Sequence, residues 1–144
     1  MSYGSGTDQF LVAYVLGSDD TDVSAKLVSG NGGCVGHEMT ISAEPLAQST
    51  PQITYAASVD RWLVTFEDRV NRDVSHADVN AVLVNGDGTV GPQLTVGATV
   101  GSSPDAWDVP CPIAYNSVTD TFFATWYNEP TGRGTEVPAP QDSR

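Results

Sequence analysis

Three short segments of this chain carry the same order of apolar and aromatic residues, and each begins at an aspartate. They are Asp8-Gln-Phe-Leu-Val-Ala-Tyr14, Asp60-Arg-Trp-Leu-Val-Thr-Phe66 and Asp120-Thr-Phe-Phe-Ala-Thr-Trp126. Side chains alternate between the two sides of a β-strand, so both faces of each segment are largely apolar. A sheet with one solvent-exposed face would leave half of these apolar side chains in water. Each segment is therefore predicted to be an interior strand between two neighbouring sheets.

The stretch 51–97 surrounds the middle segment with three further runs of strand length. These runs are rich in Val, Ile, Thr and aromatic residues, and turn chemistry such as Asn85-Gly-Asp-Gly88 separates them. We label the four runs strands a to d in chain order: 51–56, 61–67, 78–84 and 92–97. Short strands joined by short turns predict a four-stranded antiparallel sheet.

Parts of this unit recur on both sides of it. Residues 22–28 match residues 78–84 at an offset of 56, and residues 113–115 repeat the strand a sequence of residues 53–55. A period of about 50 to 60 residues, one four-stranded unit long, is typical of propeller-like repeats. The sequence predicts a single all-β domain of stacked four-stranded antiparallel sheets, which is a partial β-propeller or, alternatively, a β-sandwich.

The predicted copies are incomplete at both ends of the chain. A partial unit, a complete unit, a partial unit and an irregular tail are expected, in that order, over residues 8–44, 51–97, 111–129 and 130–144. Residues 1–7 are Gly- and Ser-rich and predict a flexible lead, so the first strand b is expected without a strand a. Residues 98–110 are predicted to be a crossing outside any strand, and Pro and Gly remove strand character after residue 129.

These motifs together resemble a known family. Ile113-Ala-Tyr-Asn116, the aspartate that follows it, the aromatic-Leu-Val-x-aromatic strand at 62–66 and the Gly86-Asp-Gly88 turn are similar to the repeats of bacterial extracellular β-propellers. The resemblance spans about residues 9–129 and implies an extracellular location. Propellers have about four to eight such units, and this chain has two and a fraction. The missing units could be supplied in two ways, by association of several copies or by the remainder of a longer chain. Alternatively, the chain forms a compact sandwich whose edges the termini cover.

Composition excludes some partners. The chain has 6 Lys plus Arg against 18 Asp plus Glu, and its net charge is -12. Such a surface repels phosphate backbones and anionic membranes, so no nucleic-acid partner is expected. No apolar run approaches the roughly 20 residues of a membrane span, and residues 1–6 lack the features of a signal peptide. Cys34 and Cys111 are placed at opposite ends of the predicted strands, so free thiols are expected.

Catalytic motifs are scarce. His37 and His76 are the two histidines, and neither has a second ligand at metal-like spacing. The chain lacks a Gly-x-Ser-x-Gly elbow. Glu67 and Asp68 end one strand b and Glu129 follows another, so a carboxylate pair for glycoside hydrolysis is one interpretation and solvated strand ends are the other. No catalytic residue is assigned.

Acidic residues cluster between strands b and c. Asp19, Asp20 and Asp22 lie there in the first unit and form the candidate metal site, with calcium as the cation that such oxygens would take. Their spacing does not match the EF-hand loop, so a solvated turn is the favoured interpretation. Asp22, and Asp78 in the second unit, are predicted to fix the turn by accepting backbone hydrogen bonds.

Trp107 is the candidate ligand-binding residue, because a ring outside any strand could stack on a sugar or fill a pocket on a neighbouring subunit, and packing within the chain is the other interpretation. Two hypotheses about function follow. The first is a non-enzymatic binding or assembly module that completes its fold by self-association and recognises glycans. The second is a fragment of a propeller hydrolase that uses acidic residues.

Overall fold

The described part of the protein is built from strands and turns. The computed structural model describes residues 1–18, 20–71, 76–97 and 106–130, and these residues contain no helix. The strands of this part are β1 (Ser2–Gly4), β2 (Gln9–Leu16), β3 (Asp22–Ser29), β4 (Cys34–Ser42), β5 (Gln48–Ala56), β6 (Arg61–Asn71), β7 (His76–Asn85), β8 (Val90–Gly97), β9 (Ala106–Pro110), β10 (Ala114–Asn116), β11 (Thr121–Phe123) and β12 (Trp126–Pro130).

The strands form three sheets. The first sheet has the order β1-β2-β3-β4, and all of its neighbours are antiparallel. The second contains the antiparallel series β5-β6-β7-β8, to which β9 adds by a parallel bridge to β7, and β12 pairs with β9. The third is the two-stranded hairpin β10-β11. The prediction of an all-β fold with stacked antiparallel sheets is confirmed.

The beginning of the chain differs from the prediction. Residues 1–7 are not a flexible lead without a partner, because Ser2–Gly4 forms β1 and pairs with β2. The first strand b therefore does have a strand a beside it. The absence of a side chain at Gly4 helps to place β1, since a Cβ there would collide with the ring of Trp62, whose Nε1 donates to the carbonyl of Ser2 at 3.2 Å.

The third unit also differs from the prediction. Residues 106–110 are strand β9 rather than part of a crossing, and the third strand b is divided into β11 and β12. The second sheet has a related interruption at the equivalent place, because the pairing of β5 with β6 shifts register between Ser49 and Gln52. β9 and β10 together therefore correspond to β5, and β11 and β12 together correspond to β6.

The core lies between the first two sheets. Its side chains from the first sheet include Leu11, Val23 and Ala25, and those from the second sheet include Trp62 and Val64. The opposite side of the second sheet is buried as well, since every residue from Trp62 to Asp68 is buried. β6 is therefore an interior strand with two covered faces, as its sequence predicts.

Three hairpins end in the same structure. We call β1-β2, β5-β6 and β10-β11 the first, second and third hairpins. In each, a tyrosine of the first strand lies opposite an aromatic residue of the second, with ring centroids 5.0 to 5.2 Å apart. The tyrosine hydroxyl donates to the aspartate that ends the turn, and this aspartate has a left-handed φ of 49° to 52°. These tyrosine and aspartate pairs are Tyr3 with Asp8, Tyr55 with Asp60, and Tyr115 with Asp120.

Aspartate tolerates the left-handed region better than most residues do, and its carboxylate can close the turn. Its backbone carbonyl also accepts a hydrogen bond from the turn that joins the third and fourth strands of the same sheet. Gly30 N–H donates to the carbonyl of Asp8 at 2.7 Å, and Gly86 N–H donates to that of Asp60 at 2.9 Å. The two turns at this end of each sheet are thereby tied together.

Replacing Tyr55 with Phe tests how much the hydrogen bonds of the tyrosine hydroxyl stabilise the fold. The hydroxyl of Tyr55 donates to Asp60 at 2.6 Å and accepts from the N–H of Gly6 at 2.9 Å, so the variant loses bonds within one hairpin and between two. We expect Tyr55→Phe to lower the free energy of unfolding by about 1–2 kcal/mol. Urea unfolding followed by tryptophan fluorescence measures the change.

Tyr3→Phe is the matched control. Tyr3 donates to Asp8 at 2.8 Å but is 46% exposed. Water can replace its lost bond, so the effect should be less than half that of Tyr55→Phe. Equal effects would show that the bond between hairpins contributes nothing to stability.

Candidate functional site

The predicted ligand-binding residue lies in a strand. The backbone of Trp107 is opposite Glu129 in the pairing of β9 with β12, and it bridges to Ala77 of β7. The expectation that Trp107 lies outside any strand is therefore wrong. Its ring, like the side chain of Glu129, falls outside the part of the chain that the structure describes.

The predicted metal site lies only partly within the described residues. Asp19 lies outside the described residues, Asp20 precedes β3, and Asp22 begins β3 opposite Leu16. In the second sheet Asp78 is inside β7, opposite Asp68, so it does not begin the strand. Within the described residues no group of three or more His, Cys, Asp or Glu is arranged to hold a metal ion.

The remaining candidates for chemistry are dispersed. Cys34 is exposed, Cys111 is half-buried, and both are free thiols, as expected. His37 is exposed in β4, and the side chain of His76 lies outside the described part. The described residues also offer no helical segment with the length and apolarity of a membrane span.

Glu67 and Asp68 do not form a carboxylate pair. They are consecutive residues of β6, so their side chains point to opposite faces of the sheet. Glu67 accepts a hydrogen bond from the hydroxyl of Ser49 at 2.9 Å. Asp68 instead belongs to a buried cluster of polar side chains on the face that carries Phe66.

This buried cluster was not predicted. Asp68 accepts from Gln48 Nε2 at 3.1 Å and from Asn80 Nδ2 at 2.6 Å. Gln48 also donates to the carbonyls of Glu44 and Leu46, which holds the connection between the first two sheets. The side-chain oxygens of Gln48 and Asn80 are buried without a hydrogen-bond partner. A sequence signal exists for Asn80, since it is a polar residue with apolar neighbours on both sides, Val79 and Ala81.

The electrostatics of the cluster follow from its burial. Desolvation raises the pKa of Asp68 above its ordinary value of 3.8, and the nearby carboxylates of Glu44 and Asp78 act in the same direction. The bonds from Gln48 and Asn80 favour the ionised form and oppose this shift. Both carboxylate oxygens are engaged by amides, so the geometry favours a structural role over proton transfer.

Two outer faces of the stack expose positions that the middle sheet buries. We call Phe10, Val12 and Tyr14 of β2 the leading face. We call Phe123, Thr125 and Tyr127, of β11, β12 and the link between them, the trailing face. The leading face corresponds in β6 to Trp62, Val64 and Phe66, and the trailing face corresponds to Leu63, Thr65 and Glu67.

The exposures of equivalent residues show the difference. Leu11 is 0% exposed, Leu63 is 8% exposed, and Phe123 is 68% exposed. Tyr127 of the trailing face is also 51% exposed. All three residues of the leading face are half-buried, whereas their equivalents in β6 are completely buried. Isolated apolar side chains are normal on a surface, but two faces with the pattern of a covered strand indicate an interaction surface.

Polar groups border the leading face. Lys26 is opposite Val12 in the pairing of β2 with β3. The hydroxyl of Tyr14 donates to Glu38 at 2.5 Å, and this bond raises the pKa of Tyr14 to about 12. A partner on this face would meet aromatic and aliphatic side chains with a polar rim, which is the usual composition of a protein interface.

Comparisons with known proteins add no further constraint. No family model, no curated protein and no solved structure matches this chain. The functional assignment therefore depends on the two outer faces and on how the sheets between them pack.

Replacing Asp68 with Asn tests the buried cluster. The introduced amide can accept from Gln48 through its oxygen and donate through its nitrogen to the Asn80 oxygen once the Asn80 amide has rotated, so both contacts are kept and the buried charge is removed. Because the raised pKa of Asp68 makes the native protein lose stability as pH rises above 3.8, the Asp68→Asn variant should be more stable at pH 7. We expect a gain of about 1 kcal/mol that shrinks as pH falls toward 3.8.

Asp87→Asn is the control of opposite sign. The N–H of Thr89 donates to Asp87 at 2.8 Å and lowers the pKa of this carboxylate. Its stabilising effect is present above 3.8 and is lost as pH falls, so Asp87→Asn should reduce stability at pH 7. Thermal unfolding of the native chain and both variants between pH 3 and pH 8 measures these differences. An Asp68→Asn variant less stable than the native chain at pH 7 would contradict the account of Asp68.

Proposed function

We propose that this chain is a non-enzymatic assembly and binding module of the propeller type, whose stack of small sheets is completed by self-association. The observation that supports the proposal is the contrast between the middle sheet and the two ends. The same strand positions are buried on both faces of β6 and are left uncovered on the leading and trailing faces.

The energetics favour a partner for these faces. Burial of apolar surface stabilises by about 25 cal/mol per Å², and complete burial of a Phe side chain contributes about 1.5–3 kcal/mol. Phe123 and Tyr127 of the trailing face are more than half exposed. Exposed rings of this kind supply the anchors that dominate protein interfaces.

A hydrolase is supported by one observation only. Asp68 is buried and has a raised pKa, as catalytic acids often have. However, both of its oxygens accept amide hydrogen bonds, and Glu67 lies on the other face of the strand. Glu67 and Asp68 therefore do not form a catalytic pair, and an assembly module is the better explanation.

Carbohydrate is the alternative occupant of the trailing face. Exposed aromatic rings stack on sugars, and Phe123 and Tyr127 provide two of them on this face. Self-association is favoured because the trailing face has the pattern of a strand that another sheet covers.

The concentration dependence of mass in solution tests the proposal. We expect sedimentation equilibrium to show association that strengthens with added salt, because each copy carries a charge of -12 and salt screens the repulsion between copies. Phe123→Ser should weaken this association by about 10- to 100-fold, from the loss of about 1.5–3 kcal/mol of burial.

Val59→Ser is the matched control, because Val59 is 47% exposed but lies in the turn of the second hairpin, away from both faces. It should associate like the native chain. A native chain that stays monomeric at every concentration and salt level would refute self-association. Loss of association in the presence of a glycan would instead assign the trailing face to carbohydrate.

A further inference from the structure

We propose that copies of this chain join head to tail, with the trailing face of one copy on the leading face of the next and Val118 of the first copy beside Tyr3 of the second. The inference rests on the proposed self-association and specifies its geometry. It follows from two joints inside the chain, each of which places one hairpin on the next in the same sense.

The first joint connects the first and second hairpins. The N–H of Gly6, in the turn of the first hairpin, donates to the hydroxyl of Tyr55 in the second at 2.9 Å. Trp62 lies against β1 and donates to Ser2. Below these contacts Leu11 of the first sheet is in one core cluster with Trp62 and Val64. A trailing-type face of one sheet thus covers the leading-type face of the next.

The second joint repeats the first. Ser58 in the turn of the second hairpin bonds to the hydroxyl of Tyr115 and donates to Asp120 in the third hairpin. Ser58 is two residues before Asp60, as Gly6 is two residues before Asp8. Further from the turn, the ring of Trp126 lies against Gly97, where a Cβ would be 2.8 Å from Trp126 Cε2.

The third hairpin presents the same elements, and none of the described contacts covers them. Val118 is two residues before Asp120 and is 90% exposed, and Phe123 occupies the position of Leu11 and Leu63. At the other end of the stack Tyr3 occupies the position of Tyr55 and Tyr115, and its hydroxyl has only the bond to its own Asp8 among the contacts described for it. The chain therefore carries both halves of a third joint, and a second copy brings them together.

Head-to-tail contact differs from a two-fold contact in its symmetry. In a two-fold dimer the same face of each copy meets itself, whereas a head-to-tail contact uses two different faces and leaves one of each free. Copies would then add in succession until a ring closes. The joint also carries little charge on the described trailing side, since Phe123, Thr125 and Tyr127 are uncharged.

Mixing two single-face variants tests this geometry. Phe123→Asp blocks the trailing face and leaves the leading face intact, whereas Val12→Asp blocks the leading face and leaves the trailing face intact. We expect each variant alone to be monomeric in sedimentation velocity and an equimolar mixture to form a 1:1 dimer that grows no further. Its dissociation constant should lie within about threefold of the value for one native contact.

Tyr127→Asp and Val12→Lys are second variants of each face, and far-UV circular dichroism shows which variants are folded. Native association together with a mixture of folded variants that stays monomeric would overturn the head-to-tail geometry but leave self-association intact. One variant that associates like the native chain would also overturn it, because a two-fold contact needs only one of the faces. A monomeric native chain would instead remove the proposed function on which the geometry rests.

Discussion

The burial of β6 on both faces is the constraint on which the rest of the structure depends. A strand with apolar residues on both faces is stable only where a layer covers each side. Trp62 and Phe66 fill one side against the first sheet, and Leu63 is buried on the other side. Because β2 and the third hairpin carry the same pattern with only one side covered, their uncovered sides are the part of the molecule with most to gain from a partner.

Turn chemistry sets how the sheets meet. The tyrosine and aspartate of each hairpin close its turn, and the tyrosine of one hairpin also bonds to the turn of the preceding one, as in the contacts of Gly6 with Tyr55 and of Ser58 with Tyr115. A residue that stabilises its own turn therefore also fixes the spacing of neighbouring sheets. The buried cluster of Asp68 and Gln48 acts at the connection that leads from the first sheet to the second.

Short runs of β-branched and aromatic residues between turns were sufficient to predict an all-β fold, and the predicted strands b and c of the middle unit lie within β6 and β7. Short strands were harder to predict. β1 has only three residues and no apolar run, and the signal that identifies it is the spacing of Tyr3 from Asp8, which matches Tyr55 with Asp60 and Tyr115 with Asp120. β9 was missed because its place depends on long-range pairing with β7 and β12, which local sequence does not encode. The two faces could be predicted as apolar, but which of them is uncovered depends on the order of stacking.

The most direct test is hydroxyl-radical footprinting of the native chain over a range of concentrations, read by mass spectrometry at Trp62 and Phe123. Trp62 is completely buried and Phe123 is 68% exposed in the single chain. We expect no oxidation of Trp62 at any concentration, and oxidation of Phe123 that is strong in dilute solution and falls several-fold as copies associate. Oxidation of Phe123 that does not change with concentration, or oxidation of Trp62 equal to it, would contradict a stack with one covered middle sheet and two faces that copies cover.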